Sequence, residues 1–480
     1  MWLSGFSKMN KFLIGAGLIL LMHTLPAHAE VSDQEFAHVK HMLEQALARI
    51  KELEEQHASE TTVSPTDSVP QMAEAVKVPA EDPPITARVA TNTDRLDNLA
   101  WAERIRLKGD FLYRYQVDEG KELFNDLNDP EADRSRNRQR IRAHLAVIAD
   151  LPGNVEIGFG LATGGDDPVS AVQTLGGAGS SKAIQLDLAY FDWEFVDGAS
   201  LAMGKLKNRF YRPGRNGLMW DSDWRPEGID LRYDNDLFYL NSLGTWFEGD
   251  SNKKGNGLNY GVQAGLRPVW GRTLLNFGAG YWSIETEGLN CFDSPSNTGG
   301  NGAGRGCFGN TATDGQGGLV PGGTPAIYAM DYTPLELYAS AEWEAGLPLM
   351  LFVDVAKNIG AKAVPGGPSQ GEKLDTAFAL GAAIGNSSQT GDWQFKLIYQ
   401  DIEADSVLGL LTDSNFAGGG TDSKGFKLSG KYMFNSQTSV GLSYFLTERQ
   451  DSNGVENGSP ATSNPFDINT LQIDVLFKSK

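Results

Sequence analysis

The sequence predicts an all-β transmembrane barrel of about sixteen antiparallel strands, with short periplasmic turns on one rim and long extracellular loops on the other, preceded by a short α-helical coiled coil. Three observations carry this expectation. From about Trp101 onward, apolar and polar side chains alternate with period two. The alternating segments are joined in turn by brief turns and by long polar loops. Finally, RSRNRQRIRAHLAVIAD (134 to 150) sets arginine at 134, 136, 138, 140 and 142 on one parity, against Ile141, Ala143, Leu145, Val147 and Ala149 on the other.

The N-terminus reads as an export signal. KMNKFLIGAGLILLMHTLPAHAE combines Lys8 and Lys11, an apolar run from Phe12 to Met22 and a small-x-small triplet, Ala27-His28-Ala29. Residues 1–29 are therefore assigned to a cleaved secretory segment. An uncleaved anchor is the alternative, but the run is short against the roughly 20 residues of a spanning helix. In 30–57, Phe36, Val39, Leu43, Ala46, Ile50 and Leu53 follow a 3-4 spacing with charged residues between. That is the seam of a coiled-coil oligomerisation helix, or else one amphipathic helix docked elsewhere. Segment 58–98 is rich in Pro and Thr without periodicity and reads as a disordered tether.

The barrel domain is expected over 99–480. Ile105, Leu107, Phe111, Tyr113 and Tyr115 share one parity, and Arg104, Arg106, Lys108, Asp110 and Arg114 the other. Such segments are strands with one apolar and one charged face. Brief turns such as LPGN (151 to 154), VDGA (196 to 199), YDND (233 to 236) and AGLP (345 to 348) alternate with long loops near 118–134, 163–182, 211–227, 285–331 and 405–424. A soluble sandwich has no reason to sort its loops by length; a bacterial outer-membrane barrel does. One segment, 184 to 195, switches apolar parity halfway.

The arginines fit the same frame. On the lipid face each costs about 2 to 4 kcal/mol at the bilayer midplane, so their parity belongs inside, in a wet lumen. Arg104, Arg106, Lys108, Arg138, Arg140 and Arg142 then form a basic wall, and Lys205, Lys207 and Arg209 are expected to line the same lumen. The third long loop carries Asp221, Asp223 and Glu227 beside Trp220 and Trp224. Folded inward, it would set carboxylates opposite arginines and create a charged constriction. An ordinary solvated loop touching a neighbouring subunit is the alternative. The only cysteines, Cys291 and Cys307, lie close together in an exported chain, which favours a disulfide over free thiols.

Other classes fit poorly. A formal net charge of -20 argues against a nucleic-acid partner. The barrel region holds one histidine, His144, and no G-x-S-x-G elbow or clustered ligand set, so no enzyme, cofactor or metal site is expected. The acidic stretch NDLNDPEAD (125 to 133) lacks the ordered ligand spacing of a calcium loop.

LDLAYFDWEF (186 to 195), GKLKNRFYRPG (204 to 214) and above all LMWDSDWRPEGIDLRYD (218 to 234) resemble the putative-porin family of Gram-negative bacteria. The resemblance covers most of the chain after about Trp101. It implies passive diffusion of small hydrophilic solutes or ions across the outer membrane, commonly by a homotrimer. A structural role is the alternative: the coiled coil and tether would link the outer membrane to the cell wall, with peptidoglycan as partner.

Overall fold

The computed structural model describes residues 102–120, 135–165, 167–247, 258–289, 291, 306–313, 327–363, 371–450 and 465–479. The expected signal segment 1–29, coiled-coil segment 30–57 and linker 58–98 lie outside the described residues, as does the stretch 125–133.

Sixteen long strands form one antiparallel sheet. The first eight are β1 (Ile105–Gly120), β2 (Ser135–Leu151), β3 (Val155–Thr163), β4 (Ile184–Val196), β5 (Ala199–Lys205), β6 (Glu227–Asp234), β7 (Phe238–Thr245) and β8 (Asn259–Leu266). The second eight are β9 (Thr273–Ser283), β10 (Pro334–Glu344), β11 (Pro348–Asn358), β12 (Thr376–Gly385), β13 (Trp393–Ile402), β14 (Ser423–Met433), β15 (Thr438–Arg449) and β16 (Phe466–Lys478). Two-residue pieces, Gln173–Thr174 and Val269–Trp270, extend the same sheet. Each strand pairs with its neighbours in sequence, and β16 pairs both with β15 and with β1, from Asp110↔Lys478 to Gly120↔Ile468. The sheet therefore closes on itself and leaves no free edge.

The two parities separate as the alternation predicts. On β1 and β2 the odd-numbered residues point outward: Leu107 is 64% exposed and Leu145 58%. Even-numbered Leu112 and Ile148 are buried at 4% and 2%, on the same side as the arginines. The outer face continues around the wall through Leu186, Ile229, Leu337, Leu351, Phe395 and Leu428, all exposed. So large an apolar surface is stable in hydrocarbon and would be an aggregation site in water. No helix among the described residues is long and apolar enough to cross a membrane; the crossing elements here are strands.

The parity switch of 184 to 195 has a local cause. β3 pairs Gly160 with Leu188 but Leu161 with Leu186, so Asp187 is an extra residue in β4. This β-bulge shifts the outer parity from Ile184 and Leu186 to Trp193 and Phe195. It also turns Asp187 toward Arg225 at 3.1 Å.

The wall is uneven. β1 and β2 have 16 and 17 residues, whereas β5 has 7 and β6, β7 and β8 have 8 each. The core of the molecule lies inside the cylinder. Trp282, Phe352, Ala377, Ile398 and Ile402 on the inner face pack against inturned loops, which fill the side bounded by β5 to β13.

The two-faced wall makes a depth-dependent prediction. Leu145→Arg, far from either rim of β2, will lower the free energy of folding into liposomes by about 2–4 kcal/mol, while Leu151→Arg, at the short-turn rim, will cost about 0–1 kcal/mol. Urea titration followed by tryptophan fluorescence measures both.

Candidate functional site

The loop after β5 (206–226) leaves the wall and crosses the lumen. Its apolar residues provide the reason. Leu206, Phe210, Leu218, Met219, Trp220 and Trp224 are all at most 6% exposed. Phe210 meets Trp282 of β9 edge-on at 4.0 Å between ring centroids, Trp220 meets the same ring at 4.4 Å, and Trp224 stacks on Trp220 at 4.7 Å. Such aromatic contacts add to the area they bury.

Polar latches fix the loop against the far wall. The Gln263 amide of β8 accepts from Tyr211 N at 2.7 Å and donates to Tyr211 O at 2.9 Å. Asn216 donates to Asp354 of β11 at 2.8 Å, and Lys396 of β13 donates to Gly214 O at 2.6 Å. Gly214 has φ +56°, and a Cβ at this position would run into the Phe352 ring. Glycine is needed there for both reasons.

A second loop, 403–422, folds in from the other side. Val407, Leu408, Leu411, Phe416 and Ala417 are buried. Three bonds join it to the first: Asp221 N donates to Leu411 O at 2.7 Å, Ser414 N to Asp221 Oδ2 at 2.9 Å, and Asp413 N to Gly217 O at 3.0 Å. The segment 306–313 supports it from outside, with Asn310 donating to Ala404 O at 2.6 Å and Val407 O at 2.8 Å, and Thr311 donating to both oxygens of Asp405. Cys307, which is joined to Cys291, sits in this layer at 1% exposure.

Between these loops and the strands β1, β2, β14, β15 and β16 lies a polar cavity of about 180 Å³. Arg114, Arg142, Arg212, Arg215 and Lys427 line it, together with Asp221, Asp223 and Asp413. Arg142 donates to Asp110 at 3.2 Å on its own wall and to Asp223 at 3.4 Å on the loop. Arg114 donates to Asp474 at 2.7 and 2.8 Å, and Lys427 to Asp413 at 2.7 Å. Burial, then the Asp413 and Asp223 carboxylates, push the Asp221 carboxyl up to about 7. Burial also opposes ionisation of Asp413, but Lys427 and the Asn415 N–H groups together outweigh it and hold that carboxyl below the usual range.

The expected basic wall is distributed as follows. Arg138, Arg140 and Arg142 stand on the inner parity of β2, with Arg138 donating to Asp118 at 2.6 Å and Arg140 to Gln116 at 3.0 Å. Arg106 pairs with Asp150 at 2.6 Å and Glu156 at 2.7 Å near the short-turn rim, where Lys108 shares its parity. His144, on the same parity, contacts Asp110 at 3.1 Å.

Three expectations need correction. Arg104 precedes β1, in the turn Ala102–Arg104, and is exposed rather than part of a strand wall. Lys205 follows Met203 on the outer parity and pairs in register with Glu227, 2.7 Å away, which shares the parity of outward Ile229. Neither residue stands on the inner parity of the strand wall, and Glu227 opens β6 instead of belonging to the acidic loop. Lys207 and Arg209 follow β5 in the loop and reach the interior from there rather than from a strand. Arg209 folds back to pair with Asp192 and, at 3.4 Å, Asp230. Arg114, Arg212, Arg215, Asp413 and Lys427 are site residues that the alternation did not single out. The apolar run Val407 to Leu411 inside a polar loop was the available signal for Asp413.

The family described as "Putative porin" matches residues 123–276 and 326–478, more than half of the chain. No curated protein sequence matches it. Among solved structures, Pseudomonas putida OprB at high pH is 11% identical, with 81% of this chain and 97% of that chain covered at a TM-score of 0.47. A triple mutant of Rhodopseudomonas blastica porin is 11% identical over 78% of this chain and 100% of its own, at 0.43. Salmonella typhi OmpF in complex with daunomycin is 12% identical over 78% and 97%, at 0.42.

The latch on the loop after β5 is testable by itself. Gly214→Ala will displace the loop from Phe352 at a cost of about 1–3 kcal/mol, and amides of 206–226 protected in the wild type will exchange faster, as hydrogen exchange with mass spectrometry will read.

Proposed function

Because the chain belongs to the putative porin family, and forms a closed sixteen-strand barrel, we propose that it is an outer-membrane channel for passive diffusion of small hydrophilic ions and solutes, narrowed by a charged constriction with a preference for anions. The observation that supports this most directly is the cavity between the inward arginines and the inturned loops, where Arg142 of the wall meets Asp223 of the loop at 3.4 Å. Apolar loop cores pack along β5 to β13, and this polar cavity borders the wall formed by β1, β2 and β14 to β16. Five cationic side chains face three carboxylates on the lining itself, with Asp110 and Asp474 behind Arg142 and Arg114. That excess favours anions at the narrowest point. In this reading 1–29 directs export, 30–57 is periplasmic and oligomerises, and the working unit is a homotrimer in the outer membrane. No cofactor takes part, because electrodiffusion needs only a wet path and a field.

Planar-bilayer recording on refolded full-length protein tests the reading. Steps of stable conductance are expected, with a reversal potential in a KCl gradient on the anion side. Arg140→Glu with Arg142→Glu will move that potential toward cations; an unchanged potential removes the basic wall from the mechanism.

Selectivity will also depend on pH. Asp221, facing Asp223, Asp413 and Arg212, is neutral below about 7 and charged above it. Anion preference will therefore rise as pH falls from about 8 to about 6, and the Asp221→Asn channel will lose most of this change.

A further inference from the structure

A second polar cavity, of about 470 Å³, lies above the constriction on the long-loop side. We propose that it is a binding site for small oxyanions, solutes bearing a phosphate or carboxylate group, centred on Arg140. As an entry step its role rests on the channel reading; the binding itself does not.

Arg138 and Arg140 differ in what answers their charge. Arg136, Arg138 and Arg140 reach it from one parity of β2. Arg138 is answered by Asp118 at 2.6 Å, and Asp118 is further engaged by Gln116 at 2.7 Å and Thr470 at 3.0 Å. Asp167 also lines the cavity and accepts from Val169 N at 3.0 Å. Arg140 instead donates to two neutral acceptors, Gln116 Oε1 at 3.0 Å and Val172 O at 3.2 Å. Among the described residues no carboxylate bonds to it, and its buried Nε has no partner. A guanidinium screened from water and left with neutral partners is expensive to keep charged. An oxyanion supplies the missing countercharge through the paired N–H···O geometry for which guanidinium is shaped.

The cavity also has hydroxyl donors and an exit. Ser170 and Ser414 line both this cavity and the constriction. An anion held at Arg140 thus lies one step from Arg114, its register partner, and from Arg142, two residues along the same face. The channel then saturates for oxyanions while remaining open to chloride.

Calorimetric titration of detergent-solubilised full-length protein with inorganic phosphate tests the site, with chloride conductance recorded separately. Wild type is expected to give a saturable isotherm. Arg140→Gln will weaken it about tenfold or more, and Arg140→Lys, which keeps the charge but not the fork, will fall between. Lys182→Gln, a charge loss in the loop 164–183, will match wild type; unchanged tryptophan emission will certify the fold of each variant. A linear wild-type isotherm, equal binding by Arg140→Gln, or an equal loss in Lys182→Gln overturns the proposal. Phosphate binding without any conductance would leave the site standing and remove the channel reading instead.

Discussion

A polypeptide placed in hydrocarbon must satisfy every backbone N–H and C=O from within itself, and the pairing of β16 with β1 is what makes that possible here. Once the sheet is closed, the period-two geometry of the strand does the rest. Each side chain is assigned either to lipid or to the interior, with no intermediate option. The outward rows of Leu, Phe, Ile and Tyr follow, and so does the placement of arginine at alternate positions of β2. In this fold a charged residue in a membrane-crossing strand is cheap on one parity and costly on the next.

The interior is then divided again, by the loops. One side of the cylinder holds a dry core of aromatic and aliphatic side chains around Trp220, Trp282 and Phe352; the other keeps arginine, lysine and carboxylate around polar cavities. The two arrangements depend on each other. The hydrophobic packing positions Asp221, Asp223 and Asp413 opposite the arginines, and the ion pairs close the polar flank of that packing. Latches such as Gln263 to Tyr211 and Asn216 to Asp354 use buried groups that would be costly if left alone. The site is therefore held by rigid elements even though its carboxylates lie on loops.

Much of this was legible in the sequence, for reasons that are local. Alternation over ten or more residues identifies a strand and its two faces, so the inner parity of Arg138, Arg140 and Arg142 could be read directly. The parity change across Ile184–Val196 was visible too, and it is the signature of the extra residue Asp187. Errors arose where alternation was extended past the end of a strand. Lys205 is the last residue of β5, whereas Lys207 and Arg209 lie beyond the strand, so a parity assigned from them carried no information about Lys205. The contribution of 403–422 was harder to see, because its partners are distant in sequence: Asp221 meets Ser414 across 193 positions and Arg114 meets Asn415 across 301. No periodicity encodes such contacts, although a run such as Val407 to Leu411 indicates that a loop has something to bury.

The eccentric filling of the cylinder has a consequence for how substitutions sort. In a uniformly hollow tube, the effect of changing an inner residue depends on its depth along the axis. In this barrel it depends on azimuth. At inner positions of β7 to β13, such as Leu243, Phe352 or Ile398, truncation opens a void in a solid interior and registers as lost fold. At polar inner positions of β1 and β2, such as Arg140, it removes a charge from the lining of a cavity rather than a side chain from a packed interior, so selection can retune one sector without touching the sector that holds the molecule together.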